Sequence, residues 1–147
     1  MSAHAARGGV AIAVTRFAAT TRTAQDAALQ IGCSVAEIVK SLVFLVDGAA
    51  VVVLCSGAAR VDEAKLKSVL AATGVRRATA DEAKAATGYA IGGVPPFAHA
   101  TDVRVIVDRG LLGFATVWAA AGLPDAVFPI APLDLVRLSG AMEADVT

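Results

Sequence analysis

Two apolar runs, Ser41 to Val46 and Ala50 to Cys55, meet across Asp47-Gly48. Asp-Gly between two such runs specifies a tight hairpin, because both central positions need positive φ and these two residues tolerate it. Neither run alternates apolar with polar residues, so both faces of the hairpin must be covered. A hairpin of that kind belongs at the centre of a sheet.

The remaining elements are read around it. Thr23-Ala24-Gln25-Asp26 resembles a capping box, and with Ala27, Ala28 and Ile31 it predicts a short helix stopped by Gly32. Ser34-Val35-Ala36-Glu37 repeats the signal and predicts a second short helix running into Lys40. Beyond the hairpin, Asp62 is a plausible N-cap for a helix that presents Leu66, Val69 and Leu70 on one face and ends at Gly74. Thr79-Ala80-Asp81-Glu82 opens another helix that stops at Thr87-Gly88. Strands are predicted over Val103 to Val107, Ala115 to Trp118 and Ala126 to Ile130, followed by a helix with Pro132 in its first turn and a final edge strand. The expected architecture is a single α+β domain with a mixed, mostly antiparallel central sheet and short surrounding helices.

The chain has 147 residues, enough to bury roughly 70% of its unfolded surface without a disulfide or metal staple. Its 56% hydrophobic content raises the question of a membrane span. The most apolar stretch, Leu42 to Ala59, is interrupted by Asp47-Gly48, and Gly110 to Leu123 falls short of the roughly 20 residues a helical crossing needs. The run Val10 to Val14 is too short for a signal-peptide core. A cytoplasmic protein with no membrane partner is expected, its two cysteines, Cys33 and Cys55, being buried reduced thiols. Thirteen basic and thirteen acidic residues cancel, so any nucleic acid must be held locally rather than by bulk charge.

Lys40 is the leading chemical candidate. It follows a helix-like turn and precedes a buried strand, which directs its ammonium into a cleft where it could bind a phosphate or polarise an ester carbonyl. The plainer alternative is a snorkelling surface lysine. Gly88, Gly92 and Gly93 could present backbone amides to a ligand oxygen, with Pro95-Pro96 holding the loop, although a tight turn without a ligand would use the same residues. Ser56, His99 and Asp108 do not make a convincing triad, since no Gly-x-Ser-x-Gly elbow is present. His99 could orient a substrate or water, or could be an exposed loop residue, and His4 is expected in a disordered start. Two isolated histidines predict no metal site.

Ile38-Val39-Lys40-Ser41-Leu42-Val43-Phe44, Ser56-Gly57 with Val61-Asp62 and Lys65-Leu66, Thr87-Gly88-Tyr89 with Gly92-Gly93-Val94-Pro95-Pro96-Phe97, and Val107-Asp108 occur in that order. Together they resemble the YbaK/ProX family, freestanding relatives of the editing domain of bacterial prolyl-tRNA synthetase. The resemblance runs from about Thr21 to the C-terminus. It implies residues 21–147 as the editing domain, with residues 1–20 a truncated or partly disordered N-terminal segment. It also implies hydrolysis of a small wrong amino acid, such as alanine or cysteine, from tRNA for proline. The catalytic group implied is Lys40, Gly92 and Gly93. The substrate-binding set is Ser41, Ser56, Gly57, Gly88, Pro95, Pro96, Phe97, His99, Asp108 and Gly122. Such proteins lack a conventional nucleophile, so water is helped by the tRNA's terminal hydroxyl or the substrate side chain. No cofactor is implied, and the partners are aminoacyl-tRNA and a prolyl-tRNA synthetase or other translation factor that presents it.

Two departures from the family pattern stand out. Met1 to Gly9 leaves little room for the longer amphipathic helix that usually precedes the first strand, and Ala120-Ala121-Gly122-Leu123 replaces a run of glycines with a bulkier wall. The competing reading is a catalytically silent module that holds a tRNA end or a synthetase. A serine hydrolase using Ser56 is a weaker third.

Overall fold

The computed structural model describes residues 2–17 and 23–147. The hairpin forms as its sequence requires: β2 (Val39–Val46) pairs antiparallel with β3 (Ala49–Ser56), Val46 facing Ala49 across a two-residue turn. Asp47 and Gly48 adopt φ of 50° and 84°. Asp47 also accepts hydrogen bonds from the Thr73 and Gly74 amides, which ties the hairpin tip to the chain entering β4 (Val75–Arg77).

Five strands make the main sheet. Their order is β4-β2-β3-β5-β8, with β5 at Arg104–Asp108 and β8 at Met142–Ala144. β2 is antiparallel to β3 and β4, whereas β5 is parallel to β3 and β8, so the sheet is mixed and the hairpin lies inside it. A second, antiparallel sheet has the order β1-β7-β6, from β1 (Thr15–Arg16), β6 (Val117–Ala120) and β7 (Ala126–Ile130). An isolated parallel bridge between Ile38 and Trp118 joins the two sheets.

Alternation along the strands divides the core in two. Val39, Val43, Val52, Leu54, Val105 and Val107 face the larger cluster, where Phe97, Val117 and Phe128 pack. Phe44, Val46, Val51, Val53 and Ile106 face the opposite side, covered by Leu66 of α3 (Glu63–Val69) and by Val146. The helices α2 (Ala24–Ile31) and α4 (Ala80–Thr87) have the predicted ends, Thr23 and Thr79 capping through their hydroxyls and Gly32 and Gly88 closing in the left-handed region, while α5 (Pro132–Ser139) starts at the predicted proline and is closed by Gly140, also left-handed.

Three expectations are corrected. Val35–Glu37 forms a single 3-10 turn, so Lys40 lies within β2 rather than at a helix end. The helix α3 stops at Val69 with Leu70 as its cap, and Gly74 serves the Asp47 contact instead. The N-terminus is packed where it is described: α1 (Ser2–Arg7) buries Ala5 completely, and the His4 ring stacks on Phe97 at 5.1 Å. His4 Nε2 also donates to the Leu138 carbonyl at 2.7 Å. Of the expected N-terminal segment, residues 1 and 18–20 lie outside the described residues, as do Thr21 and Arg22 at the start of the expected domain.

Candidate active site

β4 covers the outer edge of β2 only from Phe44 to Val46, and the Ala78 amide then donates to the Val43 carbonyl. The period of two along a strand places the backbone groups of Ser41 and Val39 on that same edge, beyond the reach of β4. A cavity of about 320 Å³ opens there. One wall is Thr23, Ala24 and Ala27 at the start of α2, another is Trp118, Ala120 and Val127 of the second sheet, and Ile91, Gly92 and Val94 form the rim.

The lining is mostly apolar, its polar side chains being those of Lys40, Arg77, Thr23 and Ser41, with the indole of Trp118. Lys40 is half-buried, and its ammonium donates to the Ala59 carbonyl. Its register partner is Cys55, whose thiol is pushed up by burial, an effect that the positive charge of Lys40 opposes. Arg77 holds its guanidinium 5.5 Å above the Phe44 ring, its cross-strand neighbour. By contrast, Arg76 is spent on a two-pronged pair with Glu82, at 2.8 and 2.7 Å. Ser41 faces the cavity with its Oγ buried and without a hydrogen-bond partner.

The structure brings Lys40, Ser41 and Gly92 of the sequence-derived set to this cavity, and distributes the others around it. Gly92 has a φ of +90° and open space where a Cβ would stand. The Gly93 amide donates to the Ala90 carbonyl at 3.0 Å, so that N–H closes a turn instead of facing a ligand. A Cβ on Gly93 would meet three backbone atoms of Leu123 at 3.0–3.1 Å. Pro95, Pro96 and Phe97 are buried beneath the loop, Phe97 packing tilted against Phe128 at 5.9 Å. His99 is half-buried and donates through Nε2 to the Pro95 carbonyl at 2.7 Å, and burial holds its pKa below the usual imidazole value.

The remaining candidates serve the frame. Ser56 donates to the Ala36 carbonyl at 2.7 Å and accepts from the Ala58 amide. Gly57 lets the strand end pass under the 3-10 turn, for its Cβ would stand 2.6 Å from the Val35 carbonyl oxygen. Gly88 caps α4 against Ala100, and Gly122, at φ +98°, sits 3.0 Å from the Tyr89 ring by the same measure. Asp108 is 3% exposed and accepts from the Gly110 and Val146 amides and the Thr147 hydroxyl, anchoring the C-terminal residues.

Sequence reasoning missed Arg77, Trp118 and the α2 wall. Arg77 was hidden in a three-residue strand too short to register as one, and Trp118 had no local partner to mark it. The described lining residues include no His, Cys, Asp or Glu, and among the described residues no three such side chains cluster as a metal site. No described helix is long and apolar enough to cross a membrane.

An open-edged strand beside a small apolar cavity, under a glycine-proline loop, defines an α+β domain shared with solved structures. A crystal structure of a candidate trans-editing enzyme for prolyl tRNA synthetase matches with a TM-score of 0.88 and 43% identity, over 92% of this chain and 86% of that one. The chain belongs to the aminoacyl-tRNA editing domain family, whose model matches residues 18–138. It is 34% identical over 127 residues to the uncharacterized protein YwhH of Bacillus subtilis, covering 86% of this chain and 80% of that protein. It is also 36% identical over 98 residues to a proline–tRNA ligase of Lactobacillus gasseri, covering 67% of this chain and 17% of the ligase.

Proposed function

We propose that the protein is a deacylase that hydrolyses, in trans, a small wrong amino acid, such as alanine, cysteine or serine, from tRNA for proline. The observation that carries this reading is the cavity at the open edge of β2: it is small, mostly apolar, bordered by Lys40 and Arg77, and reached from outside the sheet. The acyl group enters, the polynucleotide stays at the mouth, and the two cations suit its anionic end. Water adds to the acyl carbon, the ester C–O bond breaks, and the tRNA's terminal oxygen leaves with a proton. Lys40 supplies positive charge as the carbonyl oxygen becomes anionic. With no His, Cys, Asp or Glu among the described lining residues, proton transfer falls to a hydroxyl brought by the tRNA or its acyl group.

The domain doing this work is taken as residues 21–147, its core completed by the N-terminal helix. Acting on charged tRNA places the protein in the cytoplasm, with a prolyl-tRNA synthetase or other translation factor presenting the substrate. One observation favours a silent binding module instead: the Lys40 ammonium already has a carbonyl partner in Ala59. Single-turnover deacylation of alanyl-, cysteinyl- and seryl-tRNA for proline separates the two. Hydrolysis of at least one supports the enzyme, and binding without hydrolysis of any supports the module.

A further inference from the structure

Among the described residues, Ser41 Oγ is the one buried side-chain nitrogen or oxygen with no hydrogen-bond partner. An unpartnered buried hydroxyl is costly, so a fold that keeps one at the wall of a cavity is incomplete until something polar fills it. The alternation along β2 fixes the direction. Val39 and Val43 face the larger core, and Ser41 between them faces the same side, where Val94, Trp118 and Val127 close the cavity. The other hydroxyl in the lining, that of Thr23, is already used in accepting from the Asp26 amide.

We infer that Ser41 makes this cavity selective for acyl groups whose side chain carries a hydroxyl, seryl over alanyl. The inference rests on the deacylase reading above and refines it. In an ester tethered to a polynucleotide too large to enter, the part that reaches a solvent-excluded Oγ is the far end of the acyl group, its side chain. The α-ammonium is the other polar group available, but it is cationic, and a charge brought out of water needs a counter-charge that this cavity lacks, with no Asp or Glu among its described lining residues. A neutral hydroxyl needs none and both donates and accepts, as Ser41 does. An alanyl methyl leaves Ser41 unpartnered, and a thiol pairs only weakly.

The test compares the parent with Ser41→Ala and Ser41→Thr, the latter keeping the hydroxyl. Single-turnover deacylation of seryl- and alanyl-tRNA for proline is measured alongside binding of amide-linked, non-hydrolysable seryl- and alanyl-adenosine. The parent is expected to prefer seryl in both readouts. Ser41→Ala should lower the seryl-to-alanyl ratio about tenfold while melting no lower than the parent, because it removes a group that has no partner in the free protein. Ser41→Thr should keep the preference. Equal losses on both substrates would overturn the inference in favour of a general positioning role, and an unchanged ratio would overturn it outright. If neither ester is hydrolysed but the seryl analogue binds more tightly and Ser41→Ala abolishes that difference, the selectivity stands and the deacylase reading falls. If hydrolysis is robust but alanyl is preferred, the reverse holds.

Discussion

Gly57 is the point at which the floor and one wall of the cavity meet, and Gly57→Ala measures how tightly they are joined. The added Cβ would stand 2.6 Å from the Val35 carbonyl oxygen, 2.8 Å from the Ala24 Cβ and 3.3 Å from the Ile38 Cβ. None of these is the movable tip of a long side chain. Val35 is held in the 3-10 turn, Ala24 opens α2, and Ile38 is bonded through its carbonyl to Gly57 itself at 2.7 Å. Relief therefore requires the turn and α2 to lift from the strand end. Overpacking of this kind costs about 1–3 kcal/mol, and the backbone contact argues for the middle of that range. For a chain of this size, about 2 kcal/mol lowers the melting temperature by about 4–8 °C. Urea unfolding and thermal melts of Gly57→Ala should show that loss, together with weaker binding in a cavity whose Ala24 wall has moved. The control is Gly113→Ala, where a Cβ meets nothing within 4 Å and little change is expected. Equal stability of the two variants would refute the packing argument.

Gly93→Val should press the Leu123 backbone outward and, with Pro124 of that turn lining the cavity, depress turnover of larger acyl groups more than small ones in single-turnover assays. Gly92→Ala meets no atoms but must hold an alanine at φ +90°, so it should cost about 1–3 kcal/mol in urea melts without a packing defect. Glu82 is held at a pKa of about 2 by its hydrogen bonds to Arg76 and the Thr79 amide. A carboxylate depressed on folding contributes stability that is present above its unfolded value and lost as pH falls from about 4.5 to about 2. Glu82→Gln should flatten the melting profile across that window, with a salt-sensitive and modest amplitude because the group is exposed.

Local chemistry made much of the fold legible. Asp47-Gly48 fixes a turn whatever surrounds it, and the Thr79 and Glu82 pair closes a capping box within four residues. Signals of that kind need no tertiary partner. β4 had none: Val75–Arg77 is three residues, two of them arginine, and it is a strand because it lies beside Phe44–Val46. The same limit applied to the cavity. Lys40 and Ser41 stood out in the chain, but which face each occupies depends on strand register, and Lys40 looked like a helix-end cation because Ser34 to Glu37 carries the start signal of a helix that β2 cuts short. Gly93 suggested a ligand-facing amide, whereas its N–H is used by Ala90 and its missing side chain by Leu123. His4 looked isolated because Phe97, its stacking partner, lies on the loop beyond α4.

The central claim is that the cavity beside Lys40 hydrolyses the ester of a mischarged tRNA. Single-turnover deacylation of alanyl-, cysteinyl- and seryl-tRNA for proline by the parent protein and by Lys40→Ala, with melting curves for both, tests it most directly. The account predicts measurable hydrolysis of at least one substrate by the parent and a loss of about a hundredfold or more in Lys40→Ala, equivalent to about 3 kcal/mol in the barrier, with the fold retained. Unchanged hydrolysis by a folded Lys40→Ala, or no hydrolysis of any of the three by the parent, would contradict it.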